Sequence, residues 1–264
     1  MDVVRGGIMG VDSIVLRLPA VGLILVFAAV LASIFAWSSP SGVARALASS
    51  ETLFAISLSL ATALAAAGLA LVLGVPVAYA MARGLLPGGR VAETLLLIPF
   101  GMPPVAVGAA LLIFFTNTPP GSLLDELLRI VFTPRGLVVA QFFVVYPMAL
   151  RVLKTSFASV DSRYEAVART LGYTRLQTLL RVTLPMARRG VLSAFLLSFI
   201  RALGEFGASV TLAGAVRFKT ETLPIAIYLS ISGGDLDLAV ALMTVSVLVA
   251  GASVAALLSL EKKE

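Results

Sequence analysis

The sequence predicts an all-α, polytopic membrane protein with about six transmembrane helices. Of the 264 residues, 59% are hydrophobic and 13% are charged, and the mean hydropathy is +1.03. A soluble domain usually carries about 25% charged residues, so these charges are too few to cover a water-exposed surface of this size. In addition, long uncharged runs recur along the chain, and about 20 residues are enough for a helix to cross a hydrocarbon core of about 30 Å. We treat residues 1–264 as one transmembrane domain.

The first two spans are the clearest. Leu18–Trp37 is an uncharged run of 20 residues, longer than the 7–15 residues usual in a secretory signal peptide, so we expect it to be retained. Leu53–Ala82 has 30 uncharged residues, more than a straight crossing needs. We therefore expect the second span to tilt, to protrude, or to kink near Pro76.

The third span, from Thr94 to about Phe115, is rich in helix breakers. Such residues are tolerated at membrane depth where the backbone is buried in protein or lines a cavity. The breakers are Pro99, Gly101, Pro103, Pro104 and Gly108.

The remaining spans are less uniform. The fourth contains Gly136–Leu150 and is expected to begin near Ile130, with Arg135 extending its side chain to the interface. The fifth runs from about Gly190 to Gly214, and the sixth is Leu238–Leu260. Residues 222–234 are apolar but too short to cross, so they predict an interfacial or re-entrant segment.

The distribution of Lys and Arg predicts the orientation. Six spans place both termini on one side of the membrane, and that side receives 14 of the 20 Lys and Arg residues, against five on the other. Because cytoplasmic loops are enriched in Lys and Arg, we expect cytoplasmic termini in a multi-pass protein of the cell membrane. The 14 residues are Arg5, Arg17, Arg83, Arg90, Arg151, Lys154, Arg163, Arg169, Arg175, Arg181, Arg188, Arg189, Lys262 and Lys263.

Several function classes are disfavoured by what the sequence lacks. It has no cysteine and no histidine, which removes the commonest metal ligands and the usual nucleophile–base pairs of a membrane enzyme. It also has no G-x-x-x-x-G-K-[ST] loop to hold nucleotide phosphates. An ion-coupled secondary transporter remains the alternative, although it predicts an inverted repeat and several in-membrane carboxylates.

A polar stretch, Ser162–Pro185, predicts a water-soluble helical hairpin on the cytoplasmic side. Ser162 with Glu165, and Thr174 with Gln177, match the spacing of capping boxes, and Gly172 between them can end the first helix. We expect helices over residues 163–171 and 175–184. The second helix would carry one apolar stripe, because its leucines follow helical spacing. They are Leu176, Leu179, Leu180 and Leu184.

The hairpin has two interpretations. Residues 151–189 carry eight Lys or Arg and two acids, and this charge could simply retain a loop that packs on its own bundle. Alternatively, a helix pair with an apolar stripe and a basic rim suits insertion into a groove of a partner protein.

The hairpin resembles the EAA loop of ABC importer permeases. That pattern is Glu-Ala-Ala, three residues, Gly, nine residues, Ile, one residue and Leu-Pro. Gly172 and Leu184-Pro185 match it, with Val182 in place of Ile, while Glu165 stands one residue before the position of the family's Glu. The matching run begins Glu165-Ala166-Val167-Ala168.

Further motifs are similar to the molybdate, tungstate and sulfate branch of those permeases. They are the run RALGEFGA at residues 201–208, the run TETLPIAIY at 220–228, and the proline-rich segment at 98–105. The likeness covers roughly residues 50–260.

The resemblance implies a set of partners and a coupling site. The chain would form the pore as a homodimer in membrane lipid, with two ATP-binding cassette subunits and an extracytoplasmic oxyanion-binding protein. It would contain no cofactor, ATP and Mg would be bound by the ATPase, and no nucleic acid would be involved. The residues expected to dock on the ATPase are Glu165, Ala166, Val167, Ala168, Gly172, Thr174, Leu176, Leu184 and Pro185.

The fifth span contains two charges, Arg201 and Glu205, which are four residues apart and therefore share a helix face. An ionisable residue near the membrane midplane is costly unless paired or hydrated, and it often marks a substrate path. We expect the pair to face the pore; the alternative is a structural pair that fixes helix packing. A tight anion site at Arg201 would slow release. The other pore candidates are Gly204, Ser209 and Thr211.

Overall fold

The computed structural model describes residues 2–262, and within that range the regular structure is helical. Met1, Lys263 and Glu264 lie outside the described residues, so the part of the charge count that rests on Lys263 does too. The helices are α1 (Asp2–Trp37), α2 (Pro40–Ala48), α3 (Ser50–Ala82), α4 (Gly89–Gly101), α5 (Pro104–Asn117), α6 (Pro119–Leu128), α7 (Pro134–Ala158), α8 (Ser162–Thr170), α9 (Arg175–Met186), α10 (Arg188–Leu203), α11 (Gly207–Ala213), α12 (Leu223–Ser232) and α13 (Leu236–Lys262).

Four helices in the described range are long and apolar enough to cross a membrane unbroken: residues Arg17–Trp37 of α1, α3, α7, and residues Leu236–Ala255 of α13. They correspond to the first, second, fourth and sixth predicted spans. The expected start of the fourth span near Ile130 is wrong. Its helix begins at Pro134, since proline suits the first turn of a helix, where a backbone N–H would have no helical partner.

The third and fifth predicted spans are broken. Helices α4 and α5 meet at Met102–Pro103 with a bend of 117°, which is the geometry of a broken span or a re-entrant loop. The single helix expected over Gly190–Gly214 is also wrong. There the chain forms α10, leaves the helical conformation at Gly204–Phe206, and resumes as the short α11.

The segment predicted to be interfacial or re-entrant forms helix α12, which begins with Leu223 and Pro224. Leu223 and Ala226 are buried against α3 and α13, and the Leu223 N–H donates to Ser59 Oγ at 2.8 Å. The helix is therefore attached to the bundle, and its depth in a membrane stays a prediction.

The centre of the fold is the packing of α3, α7 and α10. Small side chains fill this contact and allow the helix backbones to approach closely, as is common between membrane helices. The buried residues there are Ala63, Ala66, Ala70, Val145, Ala149 and Ala202.

A second close contact joins the two broken spans. A Cβ atom added at Gly108 of α5 would lie 2.7 Å from the carbonyl oxygen of Ala208 in α11, and one added at Gly207 would lie 2.9 Å from Val105 Cγ2. Glycine at both positions lets α5 and α11 cross almost backbone to backbone. This crossing lies beside the charged pair of the fifth predicted span.

Candidate functional site

The hairpin (Ser162–Pro185) is present, with one change at its start. Asp161, not Ser162, caps the first helix: its Oδ1 accepts the Arg163 N–H at 2.9 Å, and Ser162 is the first helical residue. The second capping box is confirmed, because Thr174 Oγ1 accepts the Gln177 N–H at 3.2 Å and Gln177 Oε1 accepts the Thr174 N–H at 2.9 Å. Gly172 lies between the helices with φ = 90°, a conformation that costs glycine little.

Glu165 does not cap its helix; its carboxylate is buried in a network that holds the hairpin to the bundle. The residue is only 7% exposed. Arg83, just after α3, donates from Nη2 to Oε1 at 2.6 Å and from Nε to Oε2 at 3.1 Å. Tyr79 of α3 donates its hydroxyl to Oε2 at 3.0 Å, and Thr183 of α9 donates to Oε1 at 2.7 Å. One carboxylate thus connects α3 with both helices of the hairpin.

Electrostatics favour the ionised form of this carboxylate. Burial by itself raises the pKa of Glu165, but the hydrogen bonds from Arg83, Thr183 and Tyr79, together with the Arg83 charge, outweigh it and lower the pKa. Glu165 is therefore an anion at physiological pH, and Arg83 also donates from Nη2 to the Val160 carbonyl at 3.1 Å.

The expected single stripe of leucines is wrong. Leu179 is 4% exposed and packs in the core with Phe157, whereas Leu176 is 64% exposed and Leu180 also faces outward. Leu184 is half-buried against the same core. Residues Leu179–Thr183 form a π-helical turn, which has more residues per turn than an α-helix, so the leucines before and after it no longer share one face.

Both helices of the hairpin carry exposed apolar side chains, which together we call the apolar face. Its members are Tyr164, Val167, Leu171, Leu176 and Leu180. Large apolar side chains exposed on a polar segment are more typical of an interaction surface than of a solvated loop. Of the other expected docking residues, Ala166, Thr174 and Pro185 are exposed, while Ala168 is buried.

Basic residues also lie where the hairpin meets the end of α3. Arg83, Arg169 and Arg175 line a cavity of about 410 Å³ together with Tyr79 and Glu165. These arginines can attract an acidic partner surface, while the exposed leucines can supply apolar contact area.

The charged pair of the fifth span is formed, but not on one helix. Arg201 lies in the last turn of α10 and its Nη1 is 2.8 Å from Glu205 Oε2, yet Glu205 follows the end of that helix. The other Glu205 oxygen accepts the N–H of Ala208, in the first turn of α11, at 2.9 Å. Glu205 is 1% exposed, whereas the Arg201 side chain is 40% exposed.

The remaining pore candidates are less suited to contact a solute. The Thr211 hydroxyl donates to the Gly207 carbonyl within α11 at 2.7 Å. Ser209 is fully buried, and its Oγ has no hydrogen-bond partner within the described residues. Gly204 is exposed at the break between α10 and α11.

Arg201 borders a cavity of about 170 Å³ between the broken α4–α5 pair, α7 and α10. The other lining residues are uncharged: Pro99, Phe100, Met102, Pro104, Val144 and Met148. A neighbouring cavity of about 360 Å³ shares Pro99 and Met102 but is lined entirely by apolar residues.

Sequence reasoning missed the partners of Glu165. Arg83 and Tyr79 lie more than 80 residues before it, and their only local signal is that Arg83 ends the second uncharged run and Tyr79 lies one turn earlier. It also missed the ion pair between Lys154 of α7 and Glu93 of α4, whose Nζ and Oε1 are 2.5 Å apart.

Comparison with known proteins agrees with this arrangement. Residues 74–260 match the family described as binding-protein-dependent transport system inner membrane component. A probable molybdenum ABC transporter permease protein of Haloferax volcanii is 36% identical over 214 residues, which are 80% of this chain and 77% of that protein. The sulfate transport system permease protein CysW of Escherichia coli K12 is 38% identical over 185 residues, 69% of this chain and 64% of that protein.

The fold is also found in a solved structure. The bacterial ABC transporter that imports the acidic polysaccharide alginate includes a chain that superposes with a TM-score of 0.72 at 17% identity, covering 99% of this chain and 97% of that one. The extent of the family match and the identity to the permease relatives show that the chain belongs to the binding-protein-dependent transport system inner membrane component family, the permease subunits of ABC importers.

Proposed function

We propose that the chain is the pore-forming subunit of an importer for a tetrahedral oxyanion, molybdate or tungstate first and sulfate next. As a permease subunit of an ABC importer it is not an enzyme, and ATP is bound by its ATPase partner. The substrate proposal is supported by relatives named for molybdenum and for sulfate transport. Permeases named for molybdenum and for sulfate match at similar identity, and the RALGEFGA and TETLPIAIY motifs belong to a branch that all three anions share, so the order of the three rests on family likeness alone.

The observation that carries the coupling role is the apolar face of the hairpin beside the buried Glu165 network. The face supplies contact area for the ATPase, and the network ties that contact to α3. When the ATPases close on ATP, movement of the hairpin is passed to the bundle through Arg83 and Tyr79. The pore then opens outward and accepts the oxyanion from the binding protein.

The pore itself is proposed to lie beside the broken helices. Irregular backbone at membrane depth is tolerated where it lines a cavity, and Met102–Pro103 and Gly204–Phe206 are such breaks. Arg201 and Glu205 lie at the second break, next to the crossing of α5 and α11. Gly204, Ser209 and Thr211 then act by shaping this junction rather than by contacting the anion.

The assembly is proposed to be a homodimer with two ATPase subunits, with cytoplasmic termini. None of the side chains of residues 17–37 is buried in the single chain, so this part of α1 offers a long apolar surface to lipid or to a second copy. Native mass spectrometry of the detergent-solubilised complex tests this: two copies with two ATPases are expected, and one copy with two ATPases would contradict the homodimer.

Cross-linking tests the coupling role directly, because the chain has no native cysteine. A Thr174→Cys variant should form a disulfide with a cysteine placed in the ATPase groove. Asn117→Cys, exposed at the end of α5 on the opposite predicted side, is the matched control and should not cross-link. Equal cross-linking at both positions, or none at Thr174, would contradict docking by the hairpin.

Reconstitution tests the energy source and the substrate. In liposomes, uptake of molybdate should require the ATPase, ATP and a loaded binding protein, and calorimetric titration of that binding protein should rank molybdate, tungstate and sulfate. Uptake by the chain alone, driven by an ion gradient and indifferent to ATP, would instead support a secondary transporter.

A further inference from the structure

The cavity beside the broken helices contains one charged lining residue, Arg201, among the residues described around it. We propose that this cavity is a transient anion site within the permease, in which Arg201 binds the oxyanion as it crosses. The proposal rests on the oxyanion importer function and adds to it a residue that contacts the substrate.

The geometry leaves some N–H donors of the Arg201 guanidinium available to a solute. A guanidinium has five N–H donors, and Glu205 engages one of its nitrogens, Nη1. The carboxylate is buried behind the arginine, and its second oxygen is occupied by the Ala208 N–H. Because the Arg201 side chain is 40% exposed and lines the cavity, its remaining donors can reach an anion there.

The surroundings strengthen this attraction. Apolar side chains such as Phe100 and Met148 line the rest of the cavity, so water screens the charge less than at a protein surface. Pro104 begins the 14-residue helix α5 at the same cavity, and the positive end of that helix dipole adds to the potential. The planar arginine guanidinium also presents pairs of N–H groups whose spacing matches that of the oxygens in a tetrahedral oxyanion.

Glu205 keeps the site weak, which an importer needs. Its negative charge offsets that of Arg201, so an arriving dianion meets a partly neutralised guanidinium and leaves again easily. A weakly binding site of this kind does not slow release as a tight anion site in the pore would. It also predicts that removing the Glu205 charge strengthens anion binding while slowing passage.

The site is tested by the rate at which charged thiol reagents modify a cysteine in the cavity. In the permease–ATPase complex, a Met148→Cys variant should react faster with an anionic than with a cationic methanethiosulfonate, and adding Arg201→Gln should lower that rate ratio about tenfold. Ala110→Cys, in the neighbouring apolar cavity, is the matched control and its ratio should not change with Arg201→Gln.

Tungstate is the probe for occupancy. At millimolar concentration, with sodium chloride of equal ionic strength as the reference, it should slow modification of Met148→Cys but not of Ala110→Cys. Protection should be lost with Arg201→Gln and should need less tungstate with Glu205→Gln. Absence of protection, equal protection at both cysteines, or no reaction of Met148→Cys in either the nucleotide-free or the ATP-trapped complex would overturn the proposal.

Uptake separates this proposal from the proposed function. Arg201→Gln should reduce oxyanion uptake at least tenfold while ATP hydrolysis stimulated by the binding protein persists. The Arg201→Gln, Glu205→Gln double variant removes the buried unpaired carboxylate, and it should be folded but still defective in uptake. Normal uptake by a folded double variant overturns the anion site alone, whereas a wild-type complex that transports no oxyanion overturns the importer function itself.

Discussion

Replacing Glu165 with glutamine should loosen the hairpin from the bundle. The side chain keeps its shape, but Arg83 loses its ion-pair partner in a site where the two side chains are 15% and 9% exposed. Removing one partner of a buried ion pair typically costs about 3–5 kcal/mol, and we take about 3 because Arg83 keeps its bond to the Val160 carbonyl. For a chain of this size that corresponds to a fall in the unfolding midpoint of about 6–12 °C.

Two measurements check this expectation. The midpoint in detergent reports the loss of stability, and hydrogen exchange of residues 162–185 reports whether the loss is local to the hairpin. Glu126→Gln is the matched control, because Glu126 is an exposed carboxylate on α6 and its change should be neutral. Transport per ATP hydrolysed should fall with Glu165→Gln, since a loosened hairpin passes less movement to α3.

A second variant tests the ion pair itself. Combining Arg83→Gln with Glu165→Gln removes both charges and lets two amides hydrogen-bond, so the double variant should be more stable than Glu165→Gln alone. Glu165→Gln with an unchanged midpoint and unchanged exchange would refute the view that this carboxylate fastens the hairpin.

Three further expectations follow from the structure. Gly172→Val puts a β-branched residue at φ = 90°, which costs about 1–3 kcal/mol, and it should weaken recovery of the ATPase in pull-downs. Gly251→Val is the control and should not, because its side chain also meets open space but its φ is not positive. Leu176→Glu should leave the chain folded but abolish ATPase recovery, whereas Leu179→Glu should prevent folding, as judged by gel filtration; a folded Leu179→Glu variant would contradict the split of the leucines. Burial, and then the charge of Glu51, raise the pKa of Glu221. The stabilising contribution of Glu221 is therefore present below the pKa of the unfolded chain and is lost as the pH rises through the pKa of the folded chain, so Glu221→Gln should raise the unfolding midpoint at pH 8 more than at pH 4. An equal effect at both pH values would argue against this assignment.

The hairpin was predictable where its signals are local. Thr174 with Gln177 and the left-handed Gly172 are requirements of the neighbouring backbone, and both are confirmed. The first cap was misassigned because Asp161 and Ser162 are adjacent and both can cap a helix. Nothing local could decide that the Glu165 carboxylate turns instead to Arg83, since that contact is made only when α3 packs against the hairpin.

The spans show the same limit. Uncharged runs located the continuous helices, because a helix that crosses a membrane must be about 20 residues long and predominantly apolar. The break after α10 was not predicted, because RALGEFGA reads as helical apart from its glycines. Nothing in the motif reveals that the Glu205 carboxylate accepts the Ala208 N–H in the first turn of the next helix. The proline-rich third span was recognised as interrupted, but the size of the bend, 117°, could not be read from the prolines and glycines alone.

Helix α3 has ion pairs at both of its ends. Its 33 residues extend about 50 Å, and Arg83 at one end binds the hairpin while Glu51 at the other lies 3.1 Å from Arg217, in the loop before α12. Because the helix is continuous between these two contacts, we expect a rotation imposed at the hairpin to reach the opposite rim of the bundle, about 50 Å away.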